Sequence, residues 1–208
     1  MTIIWKDLSE REQVNILEDP GDKLVGADMR EAILWWPNFR EVNLRGVDFS
    51  DANISNADLR MADLTGANLT KAYAAHTIFD GATCVHTVFE NTYLIGATFI
   101  GATCVRSHFL CKYFDNVCFD CARISRCFFW GIDSDFLKIR RAIIHRTTME
   151  SKLIGHGDFS GSTFSGFDVN EYLAREKKMD KVNKVPEKVF DSEDWTMLGA
   201  KGLEGVGK

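Results

Sequence analysis

The 208-residue chain is poor in proline, with three in all, and has no stretch approaching the roughly 18 consecutive apolar residues that a membrane-spanning helix needs. Its opening, Met1-Thr2-Ile3-Ile4-Trp5-Lys6-Asp7, lacks the basic-then-apolar layout of a secretory leader, so no membrane partner and a cytoplasmic location are expected. An excess of one charge is also missing. Its 25 basic and 30 acidic side chains leave −5, which gives no net-charge basis for direct nucleic-acid binding. There is no Gly-x-Ser-x-Gly elbow, no phosphate-binding loop and no His-Glu-x-x-His pair. The histidines His76, His86, His108, His145 and His156 are scattered, without a nucleophile and an orienting group converging on one cleft. No catalytic residue, cofactor or metal ligand is therefore assigned, and the chain is not expected to be an enzyme.

Six cysteines, Cys84, Cys104, Cys111, Cys118, Cys121 and Cys127, fall in one segment. Cys118-x-x-Cys121 has no second pair to complete a zinc site, and free thiols packed as small hydrophobes are the expected state.

What the chain does have is a period of five. Stepping by five from Leu24, every position through Phe129 is apolar, among them Phe39, Leu59, Phe79, Phe99 and Phe119. At 45% hydrophobic composition such a run in any register arises by chance on the order of once in 10⁷ sequences. A second series two residues earlier is small, from Ala27 and Ala32 to Ala102 and Ala122, with Pro37 and Lys112 as the exceptions. Neither a helix, which turns about 100° per residue, nor a straight strand, whose period is two, puts both series on one side. A chain that turns a corner every five residues does. Four such sides make a coil, and stacked coils pair their backbone groups with the coils above and below.

The triplets Val47-Asp48-Phe49, Ala52-Asn53-Ile54, Ala57-Asp58-Leu59, Ala62-Asp63-Leu64 and Ala67-Asn68-Leu69 resemble the pentapeptide-repeat family, whose pattern is Ala-(Asp/Asn)-(Leu/Phe)-x-x. That resemblance implies an all-β solenoid, a right-handed quadrilateral β-helix. After Phe129 the match weakens, with Ser134 at a central position, yet Ile139, Ile144, Met149, Ile154, Phe159, Phe164 and Val169 keep the register. A continuing helix and an insertion of a multiple of five residues are both compatible with that.

The expected organisation is an N-terminal cap over 1–22, the β-helix over 23–170, and a C-terminal helix and arm over 171–208. In the cap, Ser9 and Glu12 have capping-box spacing, Val14 and Leu17 are expected to face the first coil, and Pro20-Gly21 ends a short helix. The helix after the solenoid is read over 171–179. The arm, Val182 to Lys208, carries Trp195 as its largest apolar group and is too polar to fold alone. It wraps the solenoid, docks on a partner or stays unfolded, and Trp195 is a candidate partner anchor.

Outward positions twenty apart supply the other candidates. His86, Arg106, Arg126 and Arg146 share one outer edge, where flanking acids, solvent or an anionic partner must satisfy them. Tyr73, Tyr93 and Tyr113 form a second column, with Trp35 and Trp36 further up that side; such a ladder is either structural or an interface. The function expected is a non-enzymatic structural or adaptor module, binding a protein partner or a second copy of itself. The resemblance also implies an alternative, a DNA-mimicking inhibitor or protector of DNA gyrase, a type II topoisomerase. Eight basic and nine acidic residues between Phe39 and Trp130 weigh against mimicry of a dense polyanion.

Overall fold

The computed structural model describes residues 3–166 except 35, 112, 133, 135, 150–152 and 154–156, together with the backbone of 194–196. The period of five becomes a chain of corners. At the first, the Ala27 N–H donates to Leu24 O (3.1 Å) across a turn whose third residue, Gly26, has φ 64°. The same bond recurs five residues apart, for instance Val42 to Phe39 (3.1 Å) and Ala52 to Phe49 (3.0 Å). The small residue is thus the one that closes the corner, and its size lets the chain pass inside the next side.

Four corners return the chain to its starting wall after twenty residues. The four walls are visible as columns of parallel pairing: Asp28, Asp48, Asn68, Val88 and His108 on wall one; Ile33, Asn53, Tyr73, Tyr93 and Tyr113 on wall two; Asn38, Asp58, Ile78, Thr98 and Cys118 on wall three; Asn43, Asp63 and Thr83 on wall four. The chain is a four-sided parallel β-solenoid, as its periodicity requires. In later coils the pairing lengthens into strands. Wall four carries β1 (Thr83–Val85), β2 (Thr103–Val105), β4 (Arg123–Ser125), β6 (Ile143–His145) and β8 (Thr163–Ser165), and wall one carries β3 (His108–Phe109), β5 (Phe128–Phe129) and β7 (Thr148–Met149).

The Asp or Asn of the repeat also has a visible task. Its side-chain oxygen accepts the N–H two residues on, as in Asp48 to Ser50 (2.9 Å), Asp63 to Thr65 (2.9 Å) and Asn68 to Thr70 (3.0 Å). The short side chain thereby satisfies a donor at the bend. Where Thr98 and Lys138 replace this residue, the donor two residues on finds an acceptor in the coil before: Ile100 N–H donates to Asp80 Oδ1 and Arg140 N–H to Asp120 Oδ1, both 2.9 Å.

Every central residue from Leu24 to Phe129 is buried. Phenylalanines stack along wall three, Phe79 on Phe99 and Phe99 on Phe119 at 4.5 Å, and along wall one, Phe89 on Phe109 at 4.7 Å and Phe109 on Phe129 at 4.6 Å. Across the core the two stacks meet edge to face, with Phe99 5.6 Å from Phe89 and 5.8 Å from Phe109. Offset stacks along one direction and T-shaped contacts along the other use both favourable aromatic geometries. Where Ser or Thr replaces the small Ala, its hydroxyl donates to the carbonyl of a central residue in the coil before: Thr77 to Ile54 (2.9 Å), Thr92 to Leu69 (2.7 Å), Ser107 to Cys84 (2.7 Å).

Two irregularities have local causes. Lys112, the exception in the small series, lies outside the described residues, and its neighbour Cys111 is buried, with Sγ 2.8 Å from Phe89 O. Ser134 stays at its central position, buried, and donates to Phe114 O (3.2 Å); Ile139, Ile144, Met149, Phe159 and Phe164 keep the register beyond it. The coils therefore continue past Phe129.

At the N-terminal end, Trp5 is buried and Ile4 pairs with Asp28, extending wall one by one rung. Helix α1 (Glu10–Glu18) starts in the capping box: Ser9 N–H donates to Glu12 Oε2 (2.8 Å) and Glu12 N–H to Ser9 Oγ (3.4 Å). Ile16 and Leu17 pack on the core, but Val14 does not; it is on the solvent side of the helix, opposite to the expectation. At the other end, β9 (Asp194–Thr196) pairs antiparallel with β8, with Trp195 opposite Phe164. Of the three fates open to the arm, this segment takes the first, because an exposed strand edge offers unpaired backbone groups. The helix expected over 171–179 and the rest of the arm lie outside the described residues.

Candidate functional site

The described core is filled by its own side chains. Burial pushes the Cys127 thiol up to about 11 and raises Cys111 as well, while the hydrogen bond with Cys84, together with burial, raises Cys104. All six cysteines are free, and the raised values of buried Cys104, Cys111 and Cys127 make those three poor nucleophiles and metal ligands. Among the described residues no cluster of His, Cys, Asp or Glu could hold a metal ion, and no helix is long and apolar enough to cross a membrane. Candidate sites are therefore on the walls and edges.

The edge between walls four and one carries the basic column. His86, Arg106, Arg126 and Arg146 all sit in left-handed backbone, with φ 55°, 53°, 54° and 46°, where Gly26, Gly46, Gly66 and Gly166 stand in the other coils. The conformation itself is no functional signal, since sixteen non-glycine residues among those described share it and the coil imposes it. Each ladder residue is fixed by its N–H, which donates to the next coil: Arg106 to Ser125 O (2.9 Å), Arg126 to His145 O (2.8 Å), Arg146 to Ser165 O (2.9 Å). Their guanidinium groups are exposed, and none makes an ion pair among the described residues. Among the described residues no flanking acid satisfies them.

The contrast with the first coils is sharp. There Arg30 chelates Asp28 (2.8 and 2.6 Å), Arg60 holds Asp58 (2.8 and 2.5 Å) and Arg45 reaches Asp63 (3.1 Å). The Arg30 hydrogen bond holds the Asp28 carboxyl down at about 2. Residues 24–103 carry nine acidic and five basic side chains, whereas residues 104–163 carry six acidic and nine basic. The rod is electrically polarised along its axis, and its near-neutral total conceals this.

On wall two, Tyr73, Tyr93 and Tyr113 form the expected ladder, stacked at 4.6 and 4.4 Å within 12° of parallel. Tyr73 is 49% and Tyr113 45% exposed. Trp36, at a left-handed corner (φ 49°), is 73% exposed, and Trp35 lies outside the described residues. The side chain of Trp195 likewise lies outside them.

A surface not anticipated from the sequence adjoins the arginine edge on wall one. Phe128 and Trp130 are 49% and 53% exposed, and His108 meets the Phe128 ring edge-on at 5.7 Å. Their backbone is held by Phe128 N–H to Ser107 O (3.0 Å) and Trp130 N–H to Phe109 O (3.1 Å). The signal was present in the same counting that found the tyrosines: stepping outward by twenty from Val88 gives His108 and then Phe128. The inward Phe129 between Phe128 and Trp130 masks it, because the triplet reads as one apolar run.

Residues 38–70 and 67–103 match the family described as pentapeptide repeats, in eight copies. Over residues 38–103 the chain therefore consists of pentapeptide repeats. No curated protein matches it significantly. Among solved structures it is similar to full-length QnrB1, a plasmid-mediated fluoroquinolone resistance protein, at 14% identity over 76% of this chain and 92% of that one, with a TM-score of 0.40. It is also similar to HetL, a protein involved in heterocyst differentiation regulation from Nostoc sp. strain PCC 7120, at 17% identity over 76% and 81%, with a TM-score of 0.34. Rfr23 from Cyanothece 51142 matches at 18% identity over 68% of this chain and all of its own length, with a TM-score of 0.32. At such scores these likenesses carry no argument about what this chain binds.

Proposed function

We propose that the protein is a non-catalytic interaction module: a rigid rod whose outer walls bind a protein partner. The observation that supports this reading is the stacked tyrosine ladder on wall two, rigid because its backbone is paired coil to coil and exposed although aromatic side chains gain by burial. A core filled by its own side chains leaves recognition as the task of the surface. The test is chemical crosslinking in the cells of origin, comparing the wild type with a variant in which Tyr73, Tyr93 and Tyr113 are all Ser. A stoichiometric protein adduct with the wild type, lost in the variant, is expected. Adducts of equal yield from both would remove wall two from the reading.

The second reading, a DNA mimic acting on a type II topoisomerase, draws on the excess of acids in residues 24–103. Against it, Asp28, Asp58 and Asp63 are neutralised by arginines of the same chain, and the basic half would meet a DNA-binding saddle with the wrong sign. Purified protein is expected to leave gyrase supercoiling unchanged at micromolar concentration. Inhibition that fades with added salt would favour mimicry instead.

A further inference from the structure

We propose that the edge between walls four and one, with the aromatic surface beside it on wall one, is a docking site for an extended acidic protein segment carrying apolar side chains. The proposal rests on the interaction-module reading and names the chemistry of one partner. Three observations carry it together. First, Arg106, Arg126 and Arg146 stand one coil apart with no ion pair among the described residues, while arginines of the first coils are chelated by neighbouring aspartates. Like charges separated by the inter-strand spacing of roughly 4.8 Å repel one another, and an anionic ligand relieves that repulsion. Second, Phe128 of β5 and Trp130 just beyond it are both exposed and follow Arg126 by two and four residues along wall one, so the exposed rings neighbour the cationic column. Third, this surface belongs to the basic half of a polarised rod, which selects an acidic partner by charge complementarity.

The geometry distinguishes among anions. From Arg106 to Arg146 is two coil steps, roughly 10 Å at the inter-strand spacing, which is the reach of about three extended residues. A short strand carrying two or three carboxylates spans it, and alternation then sends its intervening apolar side chains to the other face or its flanking ones onto Phe128 and Trp130. A nucleic acid is disfavoured because its binding is driven by neutralising many phosphates, whereas this edge offers three arginines and the excess of acids in residues 24–103 repels a long polyanion. An anionic membrane is disfavoured because electrostatic lipid recognition uses clusters of about 4–8 basic residues.

The test is fluorescence anisotropy with a labelled dodecapeptide alternating Glu and Leu, read against its Lys–Leu counterpart, an oligo-dT of equal length and phosphatidylserine vesicles. The full chain is expected to bind the Glu–Leu peptide at least about tenfold more tightly than any of the others, a difference of about 1.4 kcal/mol. Replacing Arg106, Arg126 and Arg146 together by Gln, and separately Phe128→Ser with Trp130→Ser, should each weaken that binding about tenfold while leaving the thermal midpoint of the arginine variant unchanged or higher. Binding indifferent to both variants overturns the proposal. So does tighter binding of oligo-dT or vesicles, or dimerisation in gel filtration that the arginine variant abolishes. The tyrosine-to-serine crosslinking result is independent of all of these: loss of peptide binding here with a retained tyrosine-dependent adduct would remove this site and leave the interaction-module reading standing.

Discussion

Replacement of Phe99 by Ala tests the core directly. The ring is fully buried, stacked on Phe79 and Phe119 at 4.5 Å and met edge-on by Phe89 and Phe109 at 5.6 and 5.8 Å. Truncation removes roughly 120 Å² of apolar area, worth about 3 kcal/mol at about 25 cal/mol per Å², before the cavity is counted. The cavity cannot close easily. The spacing of the neighbouring rings is set by backbone bonds between coils, Phe79 N–H to Thr98 O and Phe99 N–H to Cys118 O, both 2.7 Å. The loss therefore belongs toward the top of the roughly 3–5 kcal/mol range for Phe→Ala in a packed core. Tyr93→Ala provides the control, since Tyr93 is stacked just as closely, at 4.6 and 4.4 Å, but on the outside of the rod. It should cost only about 1 kcal/mol, the size of a cross-strand pair. Urea unfolding followed by far-ultraviolet circular dichroism reads both. A Phe99→Ala loss below about 1 kcal/mol, or equal losses for the two variants, would falsify the assignment of the inward register.

Three further outcomes are expected. Thr98 Oγ1 is the buried side-chain oxygen left without a hydrogen-bond partner among the described residues, so Thr98→Val should be neutral or stabilising by up to about 1–2 kcal/mol in urea melts; a loss would reveal a partner for the hydroxyl. Asp28 is held at about 2, below its ordinary 3.8, by the Arg30 hydrogen bond, and Arg60 likewise lowers Asp58. A depressed carboxylate contributes stability that is full above its unfolded value and lost as pH falls through the folded one, so the thermal midpoint should drop between pH 3.8 and about 2, and a double Asp→Asn variant should flatten that drop. Finally, ending the chain at residue 193 removes β9 and should speed amide exchange in β8, measured by mass spectrometry; unchanged exchange would show that the antiparallel pairing of Trp195 with Phe164 contributes nothing to the last coil.

Much of the architecture was legible because a solenoid repeats its physics. The central residues, the small corner residues and the capping box of Ser9 with Glu12 each follow from a side chain meeting the same neighbour in every coil, so a periodic sequence states them directly. The misses occur where one coil departs from the rest. At Lys112 the small series breaks off, and counting by five does not show that its neighbour Cys111 is buried with Sγ against Phe89 O. At Val14 the helical face was misjudged: Trp5 occupies the space over the first coil, so the helix needs only Ile16 and Leu17 against it. Phe128 and Trp130 were hidden by Phe129, since two exposed rings and one buried ring are indistinguishable in a string of letters until the wall is known.

The same repetition explains why the interaction surfaces are found at corners and outward columns. A substitution at a central position is felt by the coils on both sides through stacked rings 4.5–4.7 Å apart, so the interior can change only in step. An outward position meets no such condition. The corner that holds Gly26, Gly46 and Gly66 also accepts His86, Arg106, Arg126 and Arg146 with the coil-to-coil backbone bonds intact, although a side chain in left-handed backbone costs about 1–3 kcal/mol. The coil imposes that conformation whichever residue occupies it, so the chain can change the chemistry of an edge without altering its shape. The result is a rod uniform in section but not in charge: its first coils pair Asp28, Asp58 and Asp63 with arginines, and its later coils, where Arg140 pairs with Asp120, also present Arg106, Arg126 and Arg146, which no residue described in the structure answers. Moving arginines of the column to the first coils, for instance Arg126→Gly and Arg146→Gly with Gly46→Arg and Gly66→Arg, should leave the fold intact and weaken acidic-peptide binding, because most of the charge would then stand away from Phe128 and Trp130. Equal binding by the shifted variant would show that charge alone, without the aromatic surface, accounts for recognition.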